Sequence, residues 1–95
     1  MNVRYTPESI NDLNQLREFI AEKNLLAAQR IANELLTGVE KLKIFPRMGI
    51  VVSSAPDPEV IRDLFVDQNT VRYLLSESAI CILRIWHNKE NERDL

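Results

Sequence analysis

Glycine, cysteine, histidine and long apolar runs are all scarce in this chain of 95 residues, and each scarcity closes off a class of function. The two glycines, Gly38 and Gly49, lie far apart, so no glycine-rich loop can cradle a phosphate and no nucleotide cofactor is expected. The single cysteine, Cys81, cannot form an internal disulfide; it sits in an apolar run and is expected to face the core. With one histidine, His87, no cluster has metal-ligand spacing, and no metal is expected. No segment reaches the ~20 apolar residues that span a bilayer. The opening Met1-Asn2-Val3-Arg4-Tyr5 has no apolar stretch of the signal-peptide kind. A cytoplasmic protein with no membrane partner is the expectation.

A basic excess is missing as well. Twelve lysines and arginines stand against fourteen acids, a formal net charge of −2, with a sequence pI near 5.4. Proteins that wrap nucleic acid usually carry a basic excess, because each neutralised phosphate releases counterions and adds affinity. Direct sequence-specific nucleic-acid binding is therefore not expected. The hydrophobic fraction of 45% and charged fraction of 27% are those of an ordinary folded domain. Residues 1–95 read as a single domain. Such a short chain buries only ~60–65% of its unfolded surface, so an oligomer or a bound partner would add useful stability.

Residues 2–5 suit a short strand. Thr6-Pro7-Glu8 reads as a helix start, with Thr6 as N-cap, Pro7 where a missing N–H costs nothing, and Glu8 facing the positive end of the dipole. Ile10, Leu13, Leu16 and Ile20 then recur on one helical face. Asn24 is placed to cap a second helix whose stripe runs through Ala28, Ile31, Ala32, Leu35, Val39 and Leu42. Gly38 is a local weakness of ~1 kcal/mol against alanine, and Pro46 is expected to end the helix. The short connection makes the two helices an antiparallel hairpin.

Loop chemistry fills 48–59, with a possible edge strand at 50–52. Strands are expected at 60–66, 70–75 and 79–87, and connections this short permit only antiparallel neighbours. The fold class is thus α+β, an N-terminal helical hairpin packed on a small antiparallel sheet.

Each of these three strands carries one arginine: Arg62, Arg72 and Arg84. If the hairpin turn has three residues, Arg72 and Arg84 lie opposite each other on one face; with a two-residue turn they do not. Alternation along the last strand groups Arg84 with Ile80, Ile82 and Trp86. Opposed like charges cost stability and need acidic neighbours or an anionic ligand. A structural reading, with the arginines solvated or salt-bridged, stands at even weight beside a functional one. His87 suits general acid–base work by type, but no serine or cysteine motif adjoins it. A hydrogen-bonding role at the sheet edge is expected instead. Trp86 suits the core or an interface as well as base stacking. The tail 88–95 is polar and of mixed charge.

A set of short stretches runs in order along almost the whole chain: Tyr5-Thr6-Pro7, Asp12-Leu13, Phe19-Ile20, Ala27-Ala28, Leu42 and Phe45-Pro46-Arg47-Met48-Gly49. It continues through Ile61-Arg62-Asp63-Leu64, Val71-Arg72-Tyr73-Leu74-Leu75 and Ile82-Leu83-Arg84-Ile85-Trp86-His87. In this ordered set the chain resembles the ParE branch of the ParE/RelE toxin superfamily of bacterial toxin–antitoxin systems. The resemblance implies a type II toxin neutralised by a cognate ParD-like antitoxin in a hetero-oligomer, a role in plasmid stabilization, and DNA gyrase as target. Its partner-binding residues would be Arg62, Arg72, Arg84, Trp86, His87, Lys89 and Arg93. RelE-like relatives instead cut mRNA on the ribosome; as an endoribonuclease this chain would use Arg72, Arg84 and His87. The stretch after His87 lacks a tyrosine and interleaves Lys89 and Arg93 with Glu90, Glu92 and Asp94, which favours the gyrase reading. The proline-containing 50–59 stretch leaves a third alternative, an inactive antitoxin-binding module.

Overall fold

The computed structural model describes residues 1–90. The element order is β1 (Asn2–Tyr5), α1 (Pro7–Ala21), α2 (Leu25–Lys41), β2 (Ile50–Val51), β3 (Ile61–Val66), β4 (Asn69–Leu75) and β5 (Ala79–His87). The strands form one sheet in the order β1-β5-β4-β3-β2. This is the expected α+β fold with an N-terminal helical hairpin. One pairing differs: β1 runs parallel to β5, so the sheet is mixed. The chain between these two strands, the helical hairpin followed by β2, β3 and β4, is long enough for the crossover that a parallel neighbour requires.

Both predicted caps are present. The Ser9 N–H donates to Thr6 Oγ1 at 3.0 Å, and the Ala27 N–H donates to Asn24 Oδ1 at 3.0 Å. The α2 stripe packs as its spacing indicates, with Ala28, Leu35, Val39 and Leu42 buried. The α1 stripe is rotated from expectation, since Ile10 is 49% exposed while Ser9 and Asp12 are buried beside Leu16. A polar group drawn inward outweighs one isoleucine, because Asp12 has partners in β5 that Ile10 lacks. Helix α2 ends at Lys41, well before Pro46. Leu42, Lys43 and Ile44 donate three residues back, to Val39, Glu40 and Lys41, and this tighter winding unravels the helix first.

The core lies between the helices and one sheet face, where Leu35, Val39 and Leu42 meet Leu64, Val71, Tyr73, Ile80, Ile82 and Ile85. Each fully buried aliphatic side chain contributes about 1.5–3 kcal/mol. Cys81 is only half-buried, on the face opposite Ile80 and Ile82, so the expectation that it faces this core fails. Gly38 proves to be a point of close approach, since a Cβ there would sit 2.8 Å from Val66 Cγ2.

A second close approach fixes the chain between α2 and β2. The Tyr73 hydroxyl donates to Pro46 O at 2.7 Å and accepts the Gly49 N–H at 2.9 Å. A Cβ on Gly49 would lie 2.6 Å from that hydroxyl. Arg62 adds bonds from Nη1 to Gly49 O at 2.9 Å and to Arg47 O at 3.3 Å. The proline–glycine segment is thereby held against the sheet by two side chains from neighbouring strands.

Burial, before any other influence, raises the Tyr73 phenol above its ordinary 10.0. A raised folded-state value means this group's contribution is complete below pH 10 and fades as the pH climbs through the folded-state value. Tyr73→Phe is expected to lower stability by about 1–3 kcal/mol at neutral pH, since the Gly49 N–H and Pro46 O lose their partner. It should also flatten part of the alkaline fall in stability, with Tyr5, similarly raised by burial, keeping the remainder. Urea unfolding of both proteins from pH 7 to 11 measures each effect.

Candidate functional site

Two of the three strand arginines meet. Arg72 and Arg84 are directly opposed across β4 and β5, and the way they come together corrects the turn-length argument. The β4–β5 hairpin begins in a two-residue register, with the Ser76 N–H donating to Ala79 O at 3.0 Å and Leu75 facing Ile80. That register would put the arginines on opposite faces. The pairing then shifts, from Tyr73 opposite Ile82 to Arg72 opposite Arg84, leaving Leu83 as the extra residue of a β-bulge. Ile82 and Ile85 consequently share the core face, and Arg84 does not group with Ile80 and Ile82 as plain alternation predicts.

The opposed guanidinium groups are each held by a carboxylate. Arg72 donates from Nε to Asp63 Oδ1 at 2.8 Å and from Nη2 to Asp63 Oδ2 at 2.9 Å. Arg84 donates from Nε to Asp12 Oδ2 at 2.8 Å and from Nη2 to Asp12 Oδ1 at 3.0 Å. Both pairs are bidentate, the strongest geometry this chemistry offers. Asp12, 3% exposed, also accepts the Ile85 N–H at 3.0 Å. It thereby occupies the edge of β5 beyond the point where β1 stops. Thr6 does the same just before it, its N–H donating to Ile82 O at 3.0 Å and its hydroxyl to Leu83 O at 2.8 Å.

Of the remaining predicted residues, Trp86 packs against this row. Trp86 is 6% exposed, with the Arg72 Cζ 5.1 Å from its ring centroid, so its face is a platform for a guanidinium. Arg62 is engaged with the 47–49 backbone on β3, away from the Arg72–Arg84 row. Arg93 lies outside the described residues.

His87 and Lys89 meet at a cleft of about 780 Å³ between the helices and the end of β5, lined also by Asp12, Gln15, Leu16, Phe19, Ile20, Ile31 and Glu90. Its C-terminal wall is a tight turn. The Glu90 N–H donates to His87 O at 2.8 Å, and the His87 N–H to Glu90 Oε1 at 3.1 Å. The Lys89 N–H donates to His87 Nδ1 at 3.1 Å. Nδ1 is therefore an acceptor, which leaves Nε2 to carry the ring proton of the neutral imidazole. Thr70 donates its hydroxyl to Asn88 Oδ1, and the Asn88 N–H donates to Gln68 O at 2.8 Å, tying this turn back to β4.

Sequence reasoning missed Asp12, Asp63, Gln15 and the apolar lining of the cleft as site residues. Asp12 had one signal: an acid spaced three after Ser9 and four before Leu16 falls on the buried stripe once that stripe is rotated. Among the described residues, no three His, Cys, Asp or Glu side chains group to hold a metal ion, and no helix is long and apolar enough to cross a membrane.

A family model described as "ParE toxin of type II toxin-antitoxin system, parDE" matches residues 3–92. A curated relative named Toxin RelE2, from Caulobacter vibrioides, is 30% identical over 86 residues, covering 90% of this chain and 92% of that protein. A solved structure titled "Chromosomal ParDE TA system from P. aeruginosa" superposes with a TM-score of 0.74 at 19% identity, covering 92% of this chain and 95% of that one. At that identity the superposition speaks for the fold.

Asp12→Ala would leave Arg84 without its carboxylate and the Ile85 N–H without an acceptor. The variant is expected to lose about 3–5 kcal/mol. Asp12→Asn, which keeps an acceptor for Ile85, should lose less. Chemical denaturation of the two variants orders them.

Proposed function

We propose, because the chain belongs to the ParE toxin family of type II toxin–antitoxin systems, that this toxin acts by binding DNA gyrase and that a cognate ParD-like antitoxin neutralises it. The carrying observation is the state of Arg72 and Arg84. Cutting a phosphodiester without a metal needs a base, an acid and a cation offered to the developing charge. The two arginines that would offer it are bound bidentately to Asp63 and Asp12. Turning either toward a phosphate would strand a largely buried carboxylate. A protein that only grips its target needs no such movement.

The contact is proposed to run over the end of β5, where His87 and Lys89 are accessible, and to include Arg93. Arg62, Arg72, Arg84 and Trp86 serve that contact from beneath by holding the sheet in shape. Charge reversal at Arg84 is accordingly a poor probe of the contact, since Arg84→Glu would set a carboxylate against Asp12 and is expected to unfold the protein. Lys89→Glu, on an exposed side chain, is the better choice.

Purified toxin placed in a gyrase supercoiling assay and in a translating extract tests the proposal. Inhibited supercoiling with accumulated cleaved DNA–gyrase complexes is expected, weakened by Lys89→Glu while circular dichroism stays unchanged. Codon-specific mRNA cuts with gyrase untouched would overturn it in favour of the ribosome-dependent endoribonuclease. Neither effect, with the antitoxin still co-purifying, would leave an inactive antitoxin-binding module.

A further inference from the structure

The cleft at the end of β5 has a division of charge that singles out one kind of occupant. Its floor is apolar and comes from both helices: Leu16, Phe19 and Ile20 of α1 and Ile31 of α2. Its volume, about 780 Å³, falls in the ~300–1,000 Å³ range of clefts that hold ligands. The rim carries two carboxylates and three donors, and the two sets differ in how far they are already engaged. Asp12 is bound by Arg84 and by the Ile85 N–H. Glu90 Oε1 accepts the His87 N–H. The Lys89 ammonium, the Gln15 amide and His87 Nε2 have no hydrogen-bond partner among the described residues, while His87 Nδ1 is held as an acceptor by the Lys89 N–H.

We propose that this cleft is a docking site for a segment of a partner protein that inserts a leucine- or phenylalanine-sized side chain and sets a carboxylate beside it. The apolar side chain covers Leu16, Ile20 and Ile31. The carboxylate meets Lys89 and the Nε2–H of His87, the two donors at the C-terminal wall. The complementarity is local, since the chain as a whole is acidic, and it holds whether or not gyrase is the toxin's target. A second cleft, between α2 and β3, lacks this division, because the Asp67 carboxylate on its rim has no partner among the described residues, while its Arg30 is paired with Glu34.

The test uses the full chain, isotope-labelled, with 3-phenylpropionate as probe and 3-phenylpropanamide as its uncharged match. NMR titration is expected to move the methyl signals of Leu16, Ile20 and Ile31 and the amide of Lys89, with the carboxylate binding roughly two- to fivefold more tightly than the amide. Lys89→Glu should abolish that preference while the amide still moves the same methyls. Equal binding of the two probes, or shifts confined to other parts of the chain, would overturn the proposal. So would concentration-dependent shifts of these methyls without any probe, which would make a second copy of the chain the occupant.

Discussion

Four charged side chains in a row, Asp63, Arg72, Arg84 and Asp12, join three strands and a helix, and the fold depends on the two central arginines being flanked by a carboxylate at each end. Arg72 and Arg84 are opposed on neighbouring strands, an arrangement that is unfavourable by itself. A carboxylate at each end of the row balances it, from β3 on one side and α1 on the other. The arrangement adds little net stability over an apolar core of the same shape, but removing one member strands a buried charge. It fixes geometry. The row specifies which residues of β3, β4 and β5 are opposite one another, and it sets the rotation of α1 about its own axis.

The bulge at Leu83 and the clamp at Tyr73 follow from the same demand for register. Without the extra residue, Ile82 and Ile85 would point to opposite faces, and Arg84 would not stand beside Arg72. With it, the apolar and charged rows both run straight across the sheet. Tyr73 and Arg62, on the helix-facing side, use their polar ends on backbone groups at 46–49, which a loop crossing a sheet would otherwise leave without partners. The two devices meet on β4, the bulge setting its register against β5 and the clamp tying it and β3 to the 46–49 segment.

Such a framework bears on function because it engages Arg72 and Arg84, two of the three residues that a nuclease would use. Two arginines, two aspartates and the ring face of Trp86 are engaged with one another. A different set is accessible at the end of β5: an imidazole whose Nδ1 accepts the Lys89 N–H, a lysine and an apolar cleft. An accessible apolar cleft with a few directed donors is suited to recognition, in keeping with the proposed mode of action by binding.

The α+β class, the helical hairpin with both caps at Thr6 and Asn24, the α2 stripe and the three long strands were legible in the sequence, because each rests on local chemistry: a side-chain oxygen before a helix, a 3.6-residue period, an alternating run between turn residues. Legible too were the arginines of three successive strands and their need for acids. Which acids served was not, because Asp12 lies far from Arg84 along the chain and only the packing of α1 on β5 brings them together. The face taken by Arg84 was also beyond local reading, since a single bulged residue inverts the alternation of everything after it. The parallel pairing of β1 was hidden for a similar reason, as a strand carries no mark of its neighbour's direction. Gly38 and Gly49 show the same limit. A sequence shows a missing side chain, and only the tertiary structure shows what stands where it would have been.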